Sequence, residues 1–105
     1  MSYTMNNKVM TLEKLLLSED GILVLLRLGD GLNIDKVDSI CKLLKELSID
    51  WEQCDFIPRK AVDLFVDFYP AMESVCSLYS EEEQTIIMDA ADKIMDLIRE
   101  CIKCN

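Results

Sequence analysis

Histidine is missing from this 105-residue chain. With it go the Ser-His and Cys-His nucleophile pairs and imidazole acid–base catalysis. Glycine and proline are scarce, at three and two residues, so no glycine-rich run is present to cradle a phosphate and little in the chain breaks helices. The longest apolar run, Ile22 to Leu26, falls far short of the roughly 20 residues that span a bilayer. No basic start leads into an apolar stretch with a small-residue cleavage site, so no secretory signal is visible and a cytosolic protein is expected.

Basic residues are outnumbered, 11 against 20 acidic, for a net charge of −9. The excess lies in the second half: residues 1–49 carry seven acidic and six basic side chains, residues 50–105 thirteen and five. A field of that sign repels nucleic-acid phosphates and anionic membrane surfaces and speeds encounter with basic proteins. Half of the residues are hydrophobic, which suits one compact domain with a single modest core.

Five cysteines, an odd number, in a chain without a visible signal read as reduced thiols filling core space. Cys101 and Cys104 form a CxxC, but it closes a helix where a thioredoxin-like motif opens one. A zinc site joining these two to Cys41, Cys54 or Cys76 would need an unusual arrangement, and no metal or cofactor is expected. "GDGLN" (29–33) resembles a calcium loop only superficially. With Gly31 at the obligatory glycine position, Leu26 and Leu28 stand where the first carboxylates belong and Val37 where the last one does.

Helical periodicity runs almost throughout, and no strand pattern competes. Residues 1–7 read as a flexible segment ahead of a helical domain over 8–105. A short first helix starts between Lys8 and Thr11 and ends at Leu17. Ser18 looks like the cap of a second, strongly buried helix running to Gly29. Asn33 caps a third, Ile34 to Leu47. "SIDWEQCDFIP" reads as a loop whose Trp51 and Phe56 plug the open end of the core. Pro58 opens a fourth helix. At 100° per residue, Arg59, Lys60, Asp63 and Asp67 share its polar arc, while Val62, Leu64, Phe65, Phe68 and Tyr69 share the apolar one. The phase survives Pro70, which predicts one helix to about Tyr79, kinked at Pro70 with the proline on the convex side. Ser80 and Glu83 form a capping box for the last helix. Its apolar arc of about 200° is wider than one neighbour needs, placing it centrally or leaving a flank for another chain. The expected fold is all-α, a single bundle of about five helices.

The acidic steps Asp63–Asp67 and Asp89–Asp92 vaguely resemble the magnesium sites of helical NTP pyrophosphohydrolases. Such a site needs carboxylates converging on a sheltered cleft, whereas both pairs lie opposite apolar arcs, so the chain is not expected to be an enzyme. The preferred reading takes Asp63, Asp67 and Glu73 with Asp89, Asp92 and Asp96 as an acidic binding surface, anchored by an aromatic such as Trp51, Tyr69 or Tyr79. Small, acidic, cytosolic and helical is the profile of a bacterial immunity protein neutralising a basic toxin or nuclease. Asp63, Leu64, Phe68, Tyr69 and Pro70 are similar to an aspartate–leucine, two-aromatic and proline stretch of colicin DNase immunity proteins. The similarity covers less than a tenth of the chain, with different spacing. The alternative is a helical interaction or scaffold protein that homodimerises through its C-terminal helix.

Overall fold

The computed structural model describes residues 3–103, with side chains from residue 7 onward. These residues form an all-α fold of four helices of 15 to 22 residues and one of six. α1 (Tyr3–Leu17) buries Val9, Leu12 and Leu16. It begins ahead of the Lys8 start expected from apolar spacing, so residues 3–7 of the segment read as flexible are helical.

The second helix differs from expectation. Ser18 does not cap it: its hydroxyl lies within hydrogen-bond reach of two acceptors, the Lys14 carbonyl (2.6 Å) and Asp20 Oδ1 (2.8 Å), closing α1. α2 (Ile22–Arg27) instead has Gly21 at its N-cap. It ends in a Schellman motif, in which the Gly29 N–H donates to the Leu26 carbonyl (3.1 Å) and the Asp30 N–H to the Leu25 carbonyl (2.9 Å). That geometry requires the left-handed backbone of Gly29, φ +82°.

α3 (Ile34–Trp51) opens as the sequence predicts, with Asn33 Oδ1 accepting from the Lys36 N–H at 3.1 Å. It runs past Leu47 to Trp51, because Leu44, Leu47 and Trp51 continue the buried stripe at helical spacing. α4 (Arg59–Val75) starts after Pro58, continues through the exposed Pro70 and passes into a 3-10 turn over Cys76–Leu78. Ser80 caps α5 (Glu81–Ile102), accepting from the Glu83 N–H at 3.3 Å.

α3 against α5 is the most extensive helix pair, with α1 packed on α3 and α4 on α5. Ile40, Leu44, Leu47, Phe68, Met72, Ile87 and Ile94 fill the centre. Polar ties mark the seams. Lys8 reaches Asp50 (2.7 Å) from α1 to α3, Lys60 reaches Glu13 (2.9 Å) from α4 to α1, and the Ser48 hydroxyl donates to the Glu100 carbonyl (3.3 Å) from α3 to α5. Among the described residues no helix is long and apolar enough to cross a membrane.

Candidate functional site

Helices α4 and α5 carry the six carboxylates singled out by the sequence. Asp63, Asp67 and Glu73 on α4 and Asp89, Asp92 and Asp96 on α5 are all exposed. They reach solvent because the opposite arcs of both helices supply the core: Leu64, Phe65, Phe68 and Met72 from α4, and Ile87, Ala91, Ile94 and Ile98 from α5.

Tyr69 joins the two acidic stripes. Half-buried between the helices, its hydroxyl donates to Asp92 Oδ1 at 3.1 Å. The phenol is held above its ordinary pKa, first by this hydrogen bond, then by partial desolvation and by the charges of Asp92 and Glu73, with Arg99 opposing. Tyr69, Glu73, Asp92 and Arg99 therefore form one electrostatic neighbourhood. Asp96 belongs to its edge, bound by Arg99 Nη1 at 3.1 Å.

Asp63 and Asp67 stand apart from that neighbourhood. Among the described residues they, Glu73 and Asp89 make no hydrogen bond or ion pair. Asp63 lies a turn beyond Lys60, whose ammonium is taken by Glu13. No three Cys, Asp or Glu side chains among the described residues are arranged to hold a metal ion.

Of the two expected plugs, Trp51 is one and Phe56, 87% exposed, is not. The reading of Trp51 as a partner anchor is corrected: it ends α3 at 3% exposure, its ring edge-on to Phe65 with centroids 6.2 Å apart. It belongs to the core, leaving no face for a partner. Tyr79 is also committed internally: its hydroxyl donates to the Leu26 carbonyl (2.7 Å) and accepts the Gly31 N–H (3.0 Å).

Val62, expected on the apolar arc, is 43% exposed, and Val66, which the sequence reading missed, is 67% exposed; both place apolar area a turn from the α4 carboxylates. Their spacing of four, on the edge of the apolar arc nearest Tyr69, was the available signal.

Cys41 and Cys101 fill core space as expected, whereas Cys76 is half-buried and Cys54 is exposed. Burial, with Glu100 adding to it, pushes the Cys101 thiol up to about 11, and the thiol donates to the Leu44 carbonyl at 3.3 Å. Burial also raises Cys41. Both are neutral thiols near pH 7, poor as nucleophiles or metal ligands. Cys104, the second half of the CxxC, lies outside the described residues.

No protein-family model, curated protein or solved structure matches this chain. Function is therefore argued from the surface itself.

Proposed function

We propose that the chain is a cytosolic protein-binding module, an inhibitor of the immunity or antitoxin type, whose α4–α5 face receives a basic toxin or nuclease domain. The carrying observation is the Tyr69–Asp92 hydrogen bond, which fixes two acidic helix faces side by side with Glu73 next to the contact. Exposed carboxylates without partners remain unneutralised in the free protein, so a cationic surface relieves their mutual repulsion on docking. Val62 and Val66 add apolar area that a purely repulsive face would lack. In this reading a bundle of about five helices is the scaffold, and α4 bends at Pro70. The missing N–H there leaves the Val66 carbonyl without its helical donor, which favours such a bend.

Capture from the source organism's lysate tests the proposal. A basic protein is expected on the wild-type bait and absent from an Asp63→Lys, Asp67→Lys, Asp92→Lys bait. Retention of every partner by the variant rejects it.

A homodimer through α5 is the second reading, favoured by the exposure of Ile86 (54%) and Ile102 (49%) on that helix. Those residues flank the buried stripe on opposite sides, which divides the surface available to a second copy. Apolar burial is little screened, so this reading predicts a dimer that persists at high salt in sedimentation analysis.

A further inference from the structure

A groove of about 470 Å³ lies between the loop after α2 and the first turns of α5. Its floor is the buried Ile87 with the half-buried Leu32, and its walls are Ile34, Ile86 and Tyr79. The two isoleucines are 53% and 54% exposed. The charged side chains on its lining are two carboxylates, Asp30 and Glu83.

The groove is held in shape before anything binds. Gly29 closes α2 in the Schellman motif, Gly31 follows at φ +90°, and the Gly31 N–H is fixed to the Tyr79 hydroxyl. That hydroxyl is itself anchored on the Leu26 carbonyl. A loop pinned in this way loses little conformational freedom when a ligand enters.

We propose that this groove docks a short segment of a protein partner in which an aliphatic side chain is flanked by lysine or arginine. The aliphatic group would remove the exposed faces of Ile34 and Ile86 from water, and the flanking cations would pair with Asp30 and Glu83. A second copy of the chain fits poorly, because each copy carries −9 and like fields repel. The proposal rests on the reading that the partner is a basic protein and assigns that partner a second, apolar contact away from the Tyr69–Asp92 face.

The test uses the full-length, 15N-labelled protein with blocked pentapeptides Lys-Lys-Leu-Lys-Lys and Lys-Lys-Ser-Lys-Lys as probes, followed by amide shifts. The leucine peptide is expected to shift residues 30–34, Tyr79, Glu83, Ile86 and Ile87. The serine peptide should bind about tenfold or more weakly, as burial of one aliphatic side chain implies. Ile86→Gln, at an exposed position that leaves the core intact, should weaken the leucine peptide by a similar factor, while Asp92→Lys keeps the preference for the leucine over the serine peptide. Equal binding of the two peptides, shifts confined to the α4–α5 face, or the same shifts appearing with protein concentration alone would each overturn the proposal. Loss of peptide binding in Asp92→Lys with retention in Ile86→Gln removes the groove and leaves the acidic-face reading standing. A leucine-selective groove in a protein whose charge-reversed form keeps all its captured partners does the opposite.

Discussion

Tyr69 is the side chain on which the acidic seam turns, and its chemistry sets a pH signature. Its folded pKa is raised above the ordinary phenol value near 10, so the neutral phenol is the form the fold favours. The resulting stabilisation is complete below that ordinary value and is lost as pH rises through the elevated folded value. Loss of this one contribution to stability should therefore begin above about pH 10. Asp92→Asn, which removes the charge behind the largest cause, should return the Tyr69 titration toward its ordinary value in an absorbance or NMR pH series. A Tyr69 titration unaltered by Asp92→Asn would contradict the geometry. The carboxylates around it were legible in the sequence because a helical wheel assigns faces from spacing alone. Trp51 was legible as a plug but not as a helical residue, because flanked by Asp50 and Glu52 it resembles a loop, and the continuation of α3 is what turns its ring inward to Phe65.

Local chemistry decided most of the helix starts. Asn33, Pro58 and Ser80 stand at the three predicted N-termini, and side-chain capping by Asn33 and Ser80 depends on residues within one turn. The α1–α2 corner was misread for the opposite reason. Ser18 followed by two acidic residues has the composition of a cap, but tight packing of Gly21 on the end of α1 determines where α2 begins. A Cβ at Gly21 would stand 2.6 Å from the Leu16 carbonyl carbon and oxygen, a close approach between backbones that no periodicity reveals. Gly21→Ala should destabilise the fold by about 1–3 kcal/mol through overpacking alone, since its φ of −70° suits alanine. Gly29→Ala meets open space and should lose only about 1–2 kcal/mol, from the left-handed backbone. Urea unfolding of the two variants separates the causes, and a neutral Gly21→Ala would show that the corner relaxes freely. The end of α3 escaped the sequence because Ser48, Ile49 and Asp50 interrupt the obvious apolar pattern. The stripe resumes only at Trp51, four residues after Leu47.

Across the molecule, the acidic seam and the Ile34–Ile86 groove are lined by different residues. The acidic half of the chain folds into α4 and α5, whose packing gathers Tyr69, Glu73, Asp92 and Asp96 on one seam. The Ile34–Ile86 groove forms where the loop after α2 meets the start of α5. Neither grouping is visible in one dimension, since each joins residues brought together only by helix packing. The proposed recognition by the acidic face would make association a long-range process, screened when the Debye length shortens from about 30 Å at 0.01 M to about 3 Å at 1 M salt. The decisive measurement is the association rate between the purified chain and a basic protein captured in the lysate test, followed by stopped flow across that salt range. Charge-steered recognition predicts a fall of about tenfold or more with rising salt and a comparably slow rate for the Asp63→Lys, Asp67→Lys, Asp92→Lys variant at low salt. A rate indifferent both to salt and to the charge reversals would contradict it.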